Sequence, residues 1–362
     1  MTPLTGRGLR RRYLEKDEAV APHAFVNMQR LIWSWDALVS KHQFHQGEFS
    51  MTLNLTRRAA LAGVTAAPFA ASVASPLRAA GHGDAPKPLH ARAFKVGDYT
   101  VHSLLAGTTA RDGVQDIFGG GATDEAFAGV AAENFIPPDT AQFYFTPTLV
   151  DTGSQKILFD TGLNAGGITA ALADAGVVPE EIDVVVLTHM HGDHIGGMTA
   201  DDGAVTFANA RYVTAAREYD HWTGLPEGNG GGDRVRASVS PQAEKMTFIE
   251  DGGTVASGVT GMAAFGHTPG HMVYMIESGG QQLLLTADLA NHYVFPFAHP
   301  EWQTSFDTDK DAASASRRRV LEMLADSRVP MIGYHMPFPA AGFVEKRGEG
   351  FRFVPVSYQM MG

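Results

Sequence analysis

Cysteine is absent from this 362-residue chain. That excludes disulfides and every thiolate metal site, so a bound metal must be held by nitrogen and oxygen donors. Long apolar runs are missing as well. The alanine-rich stretch after Arg58 is broken by Pro68 and Pro76, and it falls short of the ~18 unbroken apolar residues a span needs. Positive charge is scarce, with 28 Lys+Arg against 39 Asp+Glu. Residues 1–80 hold ten of the basic and five of the acidic residues, which leaves 18 against 34, or −16, for the remainder. Such a surface repels a phosphate backbone, so nucleic acid is excluded as a ligand and neutral substrates are favoured. The 44% hydrophobic content suffices for one large domain or two small ones.

Histidine is plentiful where the chain changes character. Val184-Val185-Val186-Leu187 reads as a buried strand, and His189-Met190-His191-Gly192-Asp193-His194 follows it directly. At the end of an extended segment, side chains two apart point the same way, so His189 and His191 can grip one ion. Gly192 turns the chain so that Asp193 and His194 face a second point nearby. Gly196-Gly197 then suits a tight turn. A polar loop rich in histidine by chance is the bland alternative, but three His and one Asp within six residues behind a buried strand favour metal ligation.

Further candidates stand downstream at strand-to-loop junctions, where ligands collect along one edge of a sheet. Gly266-His267-Thr268-Pro269-Gly270-His271 precedes the apolar run Met272–Ile276. Leu283-Leu284-Leu285-Thr286-Ala287 ends in Asp288, and Met331-Ile332-Gly333-Tyr334 ends in His335.

This order of motifs resembles the metallo-β-lactamase superfamily, and within it methyl parathion hydrolases, with N-acyl homoserine lactonases as broader relatives. Phe159-Asp160-Thr161-Gly162 and the run Gly348–Tyr358 extend the likeness, which covers about residues 90 to 360. The resemblance implies an α/β fold, a four-layer αββα sandwich with ligands at one edge between the sheets. It implies two divalent ions, zinc first, with manganese, cobalt or iron also compatible. His189, His191 and His271 would hold one ion and Asp193, His194 and His335 the other, with Asp288 bridging. Asp160 and His267 would support the ligands through hydrogen bonds.

The implied chemistry is hydrolysis by a metal-bridged hydroxide, whose pKa the two ions pull towards neutrality. Asp193 would carry a proton to the leaving oxygen. The lactonases place a tyrosine three residues after the bridging Asp; here Asn291 stands there, and Tyr293 is the nearest substitute. Trp222, Asn291, His292, Phe295 and Phe297 are the candidate pocket residues. The expected partner is a small neutral ester, including aryl esters and organophosphate triesters, or alternatively an acyl-homoserine-type lactone. A mononuclear iron oxygenase of the same fold is the rival from another class, and its smaller ligand set argues against it. A homodimer is the expected assembly if the chain oligomerises.

Arg57-Arg58 and the run after it resemble a twin-arginine export signal over residues 51–80. The implied partner is the twin-arginine export machinery, and the implied location is periplasmic or secreted. Residues 1–50 read as an over-extended start before Met51 or an N-terminal extension, and 81–362 as the hydrolase domain. Within that domain we expect a hairpin at Gly97-Asp98, an irregular excursion over 107–140, a helix over 168–175, a mobile glycine-rich loop over 224–233 and an amphipathic helix over 309–326.

Overall fold

Val184, Val185 and Val186 have no solvent exposure, yet they belong to two different apolar clusters. Residues two apart share a sheet face, so Val184 and Val186 fill the space between two sheets while Val185 faces the outer helices. A computed structural model describes residues 89–356, and the strand Lys156–Phe159 repeats the pattern, with Ile157 and Phe159 in the first of these clusters and Leu158 in the second. The readings made for residues 1–80, and for Ser357 and Tyr358, lie outside the described residues.

β1 (Ala91–Val96) and β2 (Tyr99–Leu104) form the expected hairpin, with Gly97 at φ 56° in its turn. The chain then runs through β3 (Gly107–Asp112), α1 (Val114–Phe118), α2 (Asp124–Glu133) and β4 (Thr140–Phe145). β5 (Thr148–Asp151), β6 (Lys156–Phe159), α3 (Ala165–Asp174) and β7 (Val184–Val186) follow. Next come α4 (Gly192–Ile195), β8 (Arg211–Ala215), α5 (Ala216–Thr223), α6 (Gly230–Ser238) and β9 (Met246–Ile249). The second half opens with β10 (Thr254–Ala256), β11 (Val259–Ala263), β12 (Met272–Ser278) and β13 (Gln281–Ala287). It closes with α7 (Phe295–Ala298), α8 (Lys310–Ser327), β14 (Met331–Gly333), β15 (Ala341–Arg347) and β16 (Gly350–Pro355).

Two seven-stranded sheets result, ordered β1-β2-β5-β6-β7-β8-β9 and β10-β11-β12-β13-β14-β15-β16. Their facing sides share one apolar cluster that includes Val101, Ile157, Tyr274 and Leu285, with Tyr274 packed on Phe159 across the gap. Ile168 and Leu172 of α3 cover the outer face of the first sheet, and α8 packs on β15 of the second. This is the four-layer αββα order. Strands β6, β7 and β8 run parallel, as do β13 and β14, so β6, β7, β13 and β14 all deliver a loop towards one edge.

Two expectations are corrected. Residues 107–140 are not irregular. β3 pairs with β4 in unbroken antiparallel register, and Thr123 caps α2 by accepting from the Ala126 N–H. Phe118 and Phe127 of this excursion join Phe143, Phe145, Phe295 and Trp302 in an apolar cluster separate from the space between the sheets. Residues 224–233 are not simply a loop either, because α6 begins at Gly230 with Asn229 accepting from the Gly232 N–H. A Cβ on Gly231 would lie 2.4 Å from the Trp222 ring, so the glycines let a helix start rest on an indole. Among the described residues no helix is long and apolar enough to cross a membrane.

Candidate metal centre and cavity

β7 leads through Leu187 and Thr188 to His189, β13 leads directly to Asp288, and β14 leads through Tyr334 to His335. A single helical turn, α4, carries Asp193 and His194 back towards the same edge. The glycines after it serve close approach: a Cβ on Gly196 or Gly197 would fall 2.1 Å from the Leu163 or Thr161 carbonyl oxygen.

The side chains gather in two groups. His189, His191, His267 and Asp288 bring one ligand atom each within 4.8 Å of one another, and Asp193, His194 and His335 do the same. Asp288 stands between them. Its Oδ2 lies 3.3 Å from His267 Nε2 and 3.2 Å from His335 Nε2, and its Oδ1 lies 3.2 Å from His194 Nε2. Asp193 Oδ2 is 3.7 Å from His194 Nε2 and 3.5 Å from His335 Nε2.

His267 and His271 exchange the roles expected of them. His267 turns Nε2 to within 3.0 Å of His191 Nδ1 and anchors Nδ1 on Asp307 at 2.9 Å, while Arg317 in turn holds Asp307. His271 spends both nitrogens on the backbone, with Nδ1 at 3.0 Å from the Ala264 oxygen and Nε2 accepting from the Asp288 N–H at 3.1 Å. It has no lone pair left for an ion. The spacing of the two histidines carries no signal of which one faces the site.

Most of the other imidazoles are aimed by partners of their own. Asp160 lies 2.8 Å from His194 Nδ1 and accepts from the Thr188 N–H and hydroxyl. The Tyr144 oxygen lies 2.9 Å from His335 Nδ1. Tyr334, which sequence reading passed over, stacks on His194 at 3.9 Å and donates its hydroxyl to the Asp193 carbonyl. Burial, and then His194, holds the His189 imidazole well below its ordinary pKa; burial with His267 does so for His191. Burial opposes the charge on Asp288, yet His335 and His194 hold its carboxyl well below the usual range. Burial also disfavours charge on His194 and His267, but Asp288 with Asp160 raises the first well above its ordinary pKa and Asp288 with Asp307 raises the second to about 9. Imidazoles gathered around a carboxylate are the donor set divalent transition ions take. His194 Nε2 and Asp288 Oδ1 are buried without any hydrogen-bond partner. Orphaned atoms of that kind are costly in a folded core, and a cation between them would satisfy both.

A cavity of about 460 Å³ opens over these groups. Phe143, Phe145, Leu163, Phe306 and Trp222 form its apolar walls, and Arg111 and Arg234 also line it. Of the pocket candidates only Trp222 lies there. Asn291 is buried, donating to Asp288 Oδ2 at 2.8 Å. His292 and Phe295 stack into the excursion's aromatic cluster with Phe118 and Phe127, and Phe297 packs on Phe353. The reason is local: Pro296 starts a helical turn that faces its rings inward. Tyr293 lines a separate cavity of about 390 Å³ beside His299 and Phe351, so it is not placed to stabilise an oxyanion at the ligand edge. The walls that sequence reading missed, Phe143 and Phe145, alternate along β4 and point the same way.

The family model described as metallo-beta-lactamase superfamily matches residues 146–332, just over half of the chain. A dizinc quorum-quenching lactonase, AidC, solved with its product N-hexanoyl-L-homoserine, superposes with a TM-score of 0.67 at 27% identity, covering 74% of this chain and 98% of that one. The N-acyl homoserine lactonase AttM of Azorhizobium caulinodans is 29% identical over 133 residues, 34% of this chain and 47% of its own. The exodeoxyribonuclease WalJ of Streptococcus pneumoniae is 41% identical over 49 residues, 14% of this chain and 18% of its own. The chain thus spans between about a fifth and three fifths of the curated relatives it matches.

Proposed function

The chain belongs to the metallo-beta-lactamase superfamily, and from that premise we propose that it hydrolyses small uncharged esters, lactones included, with two divalent cations in its site. The observation that carries this reading is the placement of both ligand groups, joined by Asp288, at the base of a cavity with aromatic walls. Cations held there would supply Lewis acidity for a carbonyl or phosphoryl oxygen and lower the pKa of water.

The chain's own residues do the rest. Phe143, Phe145, Phe306 and Trp222 receive the apolar part of the substrate and exclude water from it. Burying such a group contributes about 1.5–3 kcal/mol, or roughly tenfold to a hundredfold in affinity. Asp193 is the more accessible carboxylate, at 23% side-chain exposure against 3% for Asp288. It lines the cavity and is the group placed to hand a proton to a leaving oxygen. Asn291 keeps Asp288 Oδ2 oriented through its amide N–H.

Carboxylic esters and lactones are favoured by the lactonase likenesses above. Organophosphate triesters belong to the same reading, since they too are uncharged and fit an aromatic wall. Two complete ligand groups favour a hydrolase over a mononuclear iron oxygenase. The test is turnover by the cation-loaded protein of matched acyl lactones, aryl esters, aryl phosphotriesters and phosphodiesters. Uncharged substrates should be cleaved faster than the charged diester, and a preference for a phosphodiester or a polynucleotide would sink the reading.

A further inference from the structure

Glu218 sits in the first turn of α5 with no exposed surface, and the chemistry above makes no use of it. An ionised carboxylate buried without partners costs several kcal/mol, and here four donors meet it. Oε1 accepts from the Met190 N–H at 2.9 Å and the Trp222 indole N–H at 2.6 Å. Oε2 accepts from the Thr268 hydroxyl at 2.7 Å and the Gly270 N–H at 2.8 Å.

These donors come from three parts of the site. Met190 stands between His189 and His191, Thr268 follows His267, and Trp222 is a cavity wall. The approach is tight, because a Cβ on Gly270 would lie 2.3 Å from the Glu218 nitrogen. Trp222 also meets the edge of the His191 ring at 5.5 Å. On its other side the indole carries Gly231 of α6.

We propose that Glu218 is a positioning residue that ties both histidine loops to the cavity wall, so that cation loading of the His189, His191 and His267 group and the setting of the Trp222 indole are coupled. The proposal rests on the cation-binding part of the reading above and is independent of the substrate. A hydroxyl can accept as well as donate, whereas Met190, Gly270 and the indole can only donate. In Glu218→Gln the amide oxygen therefore meets Met190 and Trp222, its NH2 gives to Thr268, and the Gly270 N–H is left unpaired.

The experiment titrates zinc into the chelator-treated full chain, following tryptophan emission and, by calorimetry, the affinity of each group. The emission of the unaltered protein should change on loading, and Trp222→Phe should abolish that change. Glu218→Gln should weaken the first group roughly tenfold to a hundredfold, as loss of a ligand's outer partner does, while the group of Asp193, His194 and His335 keeps its affinity. Should that variant fail to fold, Thr268→Val removes one donor at nearly constant shape and should weaken the same group by a smaller factor. Equal weakening of both groups, or an unweakened first group, would overturn the proposal. Zinc binding that leaves the indole emission unmoved would overturn it too, while leaving the cation reading intact. No zinc binding by the unaltered protein would instead remove the reading on which the proposal rests.

Discussion

At the scale of single residues, the decisive matter is which lone pair each histidine has left. His267 and His271 are four apart in one short motif, equally buried, and chemically identical in the sequence. Their hydrogen bonds separate them: His267 offers Nε2 to the cluster, and His271 props the Asp288 backbone. Replacing His267 by Ala should therefore remove a ligand and cost the first group most of its zinc. Replacing His271 by Ala should leave the cation stoichiometry intact while loosening the Asp288 turn, with a loss on the order of tenfold in affinity. Metal analysis of the two purified variants decides this, and full stoichiometry in His267→Ala with a missing ion in His271→Ala would reverse the assignment. The motif itself was legible in the amino-acid order. The choice within it was not, because it depends on Ala264 and Asp307, which spacing does not bring into view.

At the scale of elements, α6 illustrates how composition misleads. Five glycines and one proline across 224–233 read as a mobile loop, since glycine disfavours helix by about 1 kcal/mol relative to alanine. The chain accepts that cost because α6 packs directly on Trp222. Gly230 and Gly231 are adjacent in sequence and opposite in environment: a Cβ on Gly230 meets nothing within 4 Å, whereas one on Gly231 strikes the indole. Gly230→Ala should stabilise the protein by up to about 1 kcal/mol. Gly231→Ala should lose that gain and displace an indole that Glu218 holds in place. Urea unfolding of both variants, with Trp222 emission as a second reading, tests this; equal stabilisation by both would show that the indole yields freely. The excursion over 107–140 teaches the same lesson. Its Gly, Asp and Pro content suggested irregularity, but Phe118 and Phe127 find partners in Phe295 and Trp302, far along the chain.

At the scale of the whole molecule, the two halves meet through the site as well as through the core. His189 and His194 come from the first sheet's side, Asp288 and His335 from the second's, so cations would act as a staple between the halves. A ligand that binds only the folded state at a thousandfold its dissociation constant stabilises by about 4 kcal/mol. Chelation should therefore lower the melting temperature measured by calorimetry by roughly 2–4 °C for each kcal/mol lost, and added zinc should restore it. An unchanged melting temperature after complete metal removal would show that the halves hold together without the staple.

Sequence alone determined the fold class, the strand-end positions of the ligand candidates and the exclusion of thiolate chemistry. The fold class came from the family resemblance that the ordered motifs carry, the ligand positions from apolar runs of strand length with histidines at their ends, and the exclusion from the absence of cysteine. Only the tertiary structure decided that His267 faces the cluster, that Phe143, Phe145 and Phe306 wall the cavity, and that Phe295, Phe297 and Tyr293 turn away from it. Closeness to Asp288 along the chain made the two phenylalanines look like pocket residues and Tyr293 like a substitute for the lactonases' tyrosine. Yet a side chain's direction is set by what packs against it, and the rings packed here belong to α1, α2 and β16. Glu218 shows the limit most plainly. It reads as one acidic residue among many until the fold brings donors from two histidine loops to join the Trp222 indole of its own helix at its two oxygens.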